Sequence, residues 1–165
     1  MPLELDGWRS RDRSRGDGAI DSAQRAVVTG RLAEPSDDGA RKLGHGYWLE
    51  VQRATRGLVR CRESDRGVRL LPLGLRPALL ALGPARVAVD RDRIRCSYDV
   101  VGGVLARRAG GSLTLAQTGL ERAEVCIAVE GFFPRLGVLD RRFVRRFHAS
   151  VSRRYLGRLV EQARS

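Results

Sequence analysis

LDRRFVRRFHASVSRRYLGRLVEQA, residues 139–163, is the one long segment in which apolar residues hold a helical period. Leu139, Phe143, Phe147, Val151, Tyr155 and Leu159 recur every four residues, with Val144 beside them, and this spacing predicts a long amphipathic helix. At about 100° per residue, Arg141, Arg142, Arg145, Arg146 and Arg153 fall on the opposite side, so one face is expected on a core and the other in water. Asp140 stands where a carboxylate complements a helix N-terminus. Most of the chain before it reads as strands. The expected fold class is therefore α+β: an antiparallel β-sheet meander packed on a long C-terminal α-helix, with any ligand cavity lying between the two.

Working back from the helix, two hairpins are the clearest strand signals. Val87 and Val89 lead into the turn Asp90-Arg91-Asp92-Arg93, after which Ile94, Cys96 and Tyr98 alternate with charged and polar residues. Leu113 to Gln117 and Ala123 to Glu130 flank Thr118-Gly119-Leu120-Glu121, placing Val125, Ile127 and Val129 on one face. Further upstream, Tyr47, Leu49 and Val51 alternate with Trp48, Glu50 and Gln52, and Leu58 to Cys61 and Val68 to Leu73 continue as strands. The segment Leu75 to Leu82 is apolar all round, and with Pro77 near its start and Gly83-Pro84 after it reads as one short buried helix. Residues 1–42, with 8 basic and 8 acidic side chains and one slight apolar patch, read as a disordered tail, within which residues 22–33 could form a short helix. Residues 43–165 are then expected to form a single α+β domain.

A formal net charge of +12 would ordinarily suggest a polyanionic partner. Only Lys42 among the basic residues is lysine, however, and the chain is saturated with Arg, Ala, Gly, Leu and Val, a bias expected of a GC-rich genome. The charge thus implies non-specific polyanion contact and nothing about fold. Cys61, Cys96 and Cys126 are odd in number and form no C-x-x-C pair, so free thiols are expected. With only His45 and His148 available, no metal site is expected. No apolar run resembles a signal peptide or a membrane helix, and the expected location is cytoplasmic.

The most distinctive local text is Val100 to Gly111, in which two glycine pairs bracket Arg107-Arg108. Backbone N–H groups freed by glycine, together with two guanidinium groups, suit an anion, which makes Arg107 and Arg108 candidate anion-binding residues. A glycine-flanked connection between two strands explains the same letters and is preferred. No Gly-Lys-Ser/Thr and no G-x-G-x-x-G between strand and helix occurs, so no cofactor is expected. His148 borders the apolar stripe and is a candidate general base, ligand partner or half-buried core residue. Tyr98 and Tyr155 are candidate pocket hydroxyls.

The run of strands, the Ile94-Arg95-Cys96-Ser97-Tyr98-Asp99-Val100-Val101-Gly102-Gly103 segment, the further hairpin, Gly131-Phe132-Phe133-Pro134 and the closing helix together resemble the START-related helix-grip superfamily, which includes polyketide cyclase-like and lipid-transfer proteins. The resemblance covers about residues 46–163 and rests on the order of elements. It implies a curved antiparallel sheet gripping the C-terminal helix around a hydrophobic cavity for a lipid or polyketide-like ligand. The chain departs from that pattern in lacking a clear pair of helices after the first strand. The leading expectation is a small hydrophobic-ligand-binding domain with Tyr98, Phe143, Phe147, His148 and Tyr155 lining the cavity. Two alternatives remain open: an Arg-rich surface that binds nucleic acid or an anionic membrane, and a cyclase-like enzyme using the same cavity. No catalytic constellation favours an enzyme, and neither the ligand nor the oligomeric state follows from the residues.

Overall fold

Nine antiparallel strands lie in one sheet, and two helices cover one of its faces in the computed structural model, which describes residues 5–30, 32–135 and 140–165. The strands are β1 (Arg9–Ser14), β2 (Ile20–Thr29), β3 (Val59–Ser64), β4 (Gly67–Pro72), β5 (Leu80–Leu82), β6 (Arg86–Val89), β7 (Arg93–Gly102), β8 (Ser112–Thr118) and β9 (Arg122–Phe132). The helices are α1 (Asp37–Ala54), between β2 and β3, and α2 (Arg141–Arg164), at the C-terminal end. The sheet order is β1-β2-β9-β8-β7-β5-β4-β3, with β6 pairing to β7 alongside β5. The antiparallel sheet packed against a long C-terminal helix is the α+β class expected of the sequence.

Both expected hairpins form. Val89 pairs with Ile94 and Thr118 with Glu124, and the inward residues Ile94, Cys96, Leu115, Val125 and Ile127 are almost wholly buried. The connection from β7 to β8 needs its glycines: Gly103 has φ +116°, and a Cβ there would sit 2.5 Å from the Leu79 carbonyl oxygen.

The N-terminal expectation is corrected. Residues 9–14 and 20–29 are not a tail but two strands, and β2 pairs along its length with β9. Ile20, Ser22, Gln24, Ala26 and Val28 of β2 all point inward and are buried. Two of those five are polar, which broke the apolar alternation and hid the strand. Residues 1–4 of the expected tail lie outside the described residues. The boundary at 42/43 falls inside α1, and the short helix expected over 22–33 is strand β2 for most of its length.

Residues 46–52 are likewise helix and not strand. Ser36 caps α1 by accepting from the Gly39 N–H at 3.0 Å, with Asp37 and Asp38 in the first turn. Ala40, Leu43, Gly44, Tyr47, Trp48 and Val51 form its buried face, a spacing of three and four that helical geometry alone satisfies. Tyr47 and Trp48 are adjacent and both buried, which a strand with one wet face does not allow. Gly44 lets α1 approach β7 closely, since a Cβ there would lie 2.2 Å from the Tyr98 hydroxyl. Leu75 to Leu82 forms no helix; its last three residues are β5, hydrogen-bonded to β4 and β7. A short run apolar on all sides suits a strand covered on both faces as well as a buried helix.

The C-terminal helix forms as expected, capped by Asp140, whose side chain accepts from the Arg142 N–H at 3.1 Å. Leu139, the first residue of the expected ladder, lies outside the described residues. The buried stripe is His148, Val151, Ser152, Tyr155, Leu156, Val160 and Ala163, with Val144 and Leu159 half-buried. A strict four-residue ladder advances about 40° per step around a 3.6-residue helix, so its ends leave the core: Phe143 is 56% exposed and Phe147 half-buried. Of the arginines expected in water, Arg142, Arg146 and Arg153 are exposed, but Arg141 and Arg145 are half-buried. Arg145 donates to the Ser14 hydroxyl at the end of β1.

Candidate functional site: an apolar cavity between the helices and the sheet

Both helices pack on the same sheet face, joined by a buried aromatic cluster and one buried carboxylate. Tyr47 meets Trp48 edge-on at 5.3 Å and Tyr155 at 5.8 Å between ring centroids, and Trp48 meets Tyr98 at 5.2 Å. Glu50 of α1 has no exposed side-chain surface; Arg154 of α2 donates to it at 3.2 Å, and Arg158 donates to its other oxygen. These contacts hold the C-terminal half of α2 firmly against α1. Its N-terminal half, from Phe143 to Phe147, stands over open space instead.

That space is an apolar cavity of about 560 Å³. Val51 and Ala54 of α1 and Thr55 at its C-cap form one wall and Phe143, Val144 and Phe147 of α2 another, while Val59, Leu70, Leu80 and Phe132 of the sheet close its base. Leu58, 62% exposed, and Phe143 stand at its rim; large apolar groups that exposed are explained by the opening beside them. Phe143 and Phe147 stack nearly parallel, with centroids 6.2 Å apart. A second chamber of about 120 Å³ lies further in, sharing Val51, Leu70, Leu80, Phe132, Val144 and Phe147 with the first. Its remaining wall includes Trp48, Leu113 and His148.

His148 is the main titratable group in this wall. Its Nδ1 lies 3.0 Å from the Ser22 hydroxyl, which in turn donates to Asp12 at 2.6 Å. Burial lowers the imidazole pKa to about 4, against a small opposing pull from Asp12, so the ring is neutral near pH 7. Its Nε2 is buried and has no hydrogen-bond partner among the described residues.

The expected site residues separate into three groups. Phe143, Phe147 and His148 are brought together on the cavity wall. Tyr98 and Tyr155 are not: the Tyr155 hydroxyl donates to the Leu43 carbonyl at 2.6 Å, and Tyr98 packs beneath α1 beside Trp48. Burial pushes both phenols well above their ordinary pKa, as expected of core groups. Arg107 and Arg108 form the third group, exposed on the β7–β8 connection, where their side chains lie over the Phe133 ring at 5.8 and 3.8 Å. The N–H groups of Arg107 and Gly110 bond to the Phe133 and Val100 carbonyls, so two donors of the expected nest are already used. Sequence reasoning missed Val51, Ala54, Leu70, Leu80 and Phe132, because the wall they form is assembled from four elements, among them a helix that was read as a strand.

The thiols are free, and none is activated. Burial raises all three, Cys61 to about 12. Among the described residues no three His, Cys, Asp or Glu side chains are grouped to hold a metal, and no helix is long and apolar enough to cross a membrane.

No protein-family model matches the chain, and no curated protein matches it in sequence. Among solved structures it is similar to human StAR-related lipid transfer protein 5, at 16% identity over 96% of this chain and 88% of that one, with a TM-score of 0.49. It is also similar to the human StarD13 (DLC2) lipid transfer and protein localization domain, at 9% identity over 92% and 90% of the two chains, with a TM-score of 0.43. By its own geometry the chain is a helix-grip α+β fold with an apolar cavity between its helices and its sheet.

Proposed function

We propose that this protein binds a small, largely apolar molecule, of lipid or polyketide-like character, in the cavity between α1, α2 and the sheet. The observation that carries the reading is the 560 Å³ apolar cavity opening at Phe143 and Leu58 and sharing its inner wall with a second chamber. A cavity of that size is in the range of small-molecule sites. Its cost also argues for use: an unfilled apolar space forgoes packing that a collapsed core would gain. Phe143, Phe147 and His148 are the lining residues we assign to the ligand.

Titration with the apolar fluorophore diphenylhexatriene tests this directly. Saturable binding is expected, with quenching of Trp48 by energy transfer, since Trp48 lies in the inner wall. Phe147→Ala should weaken the probe about five- to tenfold. Its stability cost should stay below the roughly 3–5 kcal/mol of a fully packed phenylalanine, because Phe147 is half-buried and already borders open space. Absence of saturable binding, or a Phe147→Ala variant that binds unchanged, would remove the proposal.

A further inference from the structure

The inner chamber is largely apolar, with polar atoms brought to its wall by Tyr47, Trp48, Ser112 and His148, and the hydrogen bonds around the His148 ring decide which tautomer it holds. The Ser22 hydroxyl has one proton, and at 2.6 Å that proton goes to the Asp12 carboxylate. Gln24 donates its amide N–H to Ser10 at 2.9 Å and, at 3.4 Å, to Ser22. The Ser22 oxygen is therefore an acceptor toward the ring, and His148 Nδ1 must be the donor. That places the proton on Nδ1 and leaves Nε2 as a bare lone pair. Nε2 is buried, in a side chain only 4% exposed, and no described residue donates to it. A buried acceptor left unmade is costly, on the order of 1–3 kcal/mol.

We propose that His148 Nε2 is the specificity determinant of the cavity, accepting a hydrogen bond from a hydroxyl at the buried end of an otherwise apolar ligand. This rests on the ligand-binding reading above and narrows it to a class: alcohols and phenols, not hydrocarbons or ionised fatty acids. A bare lone pair attracts an O–H and repels a carboxylate oxygen. The ring's resistance to protonation keeps it an acceptor across the neutral range. The preference follows from the penalty for leaving a buried polar group unpaired, which lets such sites discriminate against analogues lacking the matching group.

A matched pair of probes tests this, 2-naphthol and 2-methoxynaphthalene, which differ in one donor proton. Transfer from water favours the ether, so a naphthol preference reports the hydrogen bond. The wild-type protein should bind 2-naphthol about tenfold more tightly, and His148→Phe should bind the ether at least as well while losing the preference. The ¹⁵N resonance of His148 Nε2 in the wild-type protein should also move upfield with naphthol and not with the ether, a readout that does not depend on a variant folding. Equal affinities with an unmoved resonance, or a preference that survives in His148→Phe, would overturn the inference while leaving the cavity reading intact. Binding of neither probe would refute the cavity reading, and the inference with it.

Discussion

Acidifying the protein from pH 7 to pH 4.5 is expected to destabilise it chiefly through His148. The folded imidazole has its pKa lowered to about 4 by burial, whereas an unfolded histidine titrates near 6.5. Between those values the unfolded chain binds a proton that the folded chain refuses, so stability falls as pH falls. Each tenfold difference in proton affinity is worth about 1.4 kcal/mol, and the interval down to pH 4.5 therefore removes roughly 2–3 kcal/mol. That is a large part of the 5–15 kcal/mol typical of a whole domain. Among the described carboxyl groups Asp21 is shifted as well: burial acts to raise it, but the Arg15 bond and the Gly131 N–H outweigh that and leave the pKa lowered. Its stabilisation is lost only below about pH 3.8, outside the interval. Urea unfolding followed by tryptophan fluorescence at pH 7, 6, 5 and 4.5 measures the slope. His148→Gln, which does not titrate, should abolish most of it whatever its own effect on absolute stability. Equal slopes in the variant and the wild-type protein would show that His148 is already protonated or solvated, and would refute the reasoning.

Two further outcomes concern the frame of the cavity. Arg154→Met with Arg158→Met should cost about 3–5 kcal/mol, because among the described residues the buried Glu50 carboxylate then keeps only Arg53, at 3.8 Å, and restoring neutrality with Glu50→Gln in the same chain should recover much of that. Glu50→Gln alone should cost less than the double arginine change, since both guanidinium groups reach water; a coupling near zero in the cycle, read by chemical denaturation, would mean the ion pairs contribute nothing. A chain beginning at Gly30 should lose cooperative thermal unfolding, since it lacks β1 and β2, exposes the edge of β9 and uncovers the Ser22 side of α2. A melt within about 5 °C of the full chain would return residues 5–29 to the status of an appendage.

The sequence by itself determined the parts in which a residue's neighbours along the chain decide its environment. The β6–β7 and β8–β9 hairpins were legible because short turns fix their pairing and because Ile94, Cys96, Val125 and Ile127 alternate without interruption. The closing helix was legible from its length and from Asp140, and its sheet-on-helix packing follows from having one apolar side. Tertiary structure decided what local period could not. Ser22 and Gln24 sit at inward positions of β2 because a histidine from the far end of the chain meets them there, so the strand carries polar residues where a local reading demands apolar ones. Trp48 and Glu50 are buried in α1 because β7 and α2 cover them from two directions, which made a helix resemble a strand with one wet face. The cavity wall draws on residues from α1, β3, β4, β5, β9 and α2, and no spacing in the chain encodes such convergence. Phe143 left the core and Phe147 reached its edge because the packing of α2 on β2 and α1 selects which side of a many-sided apolar ladder turns inward.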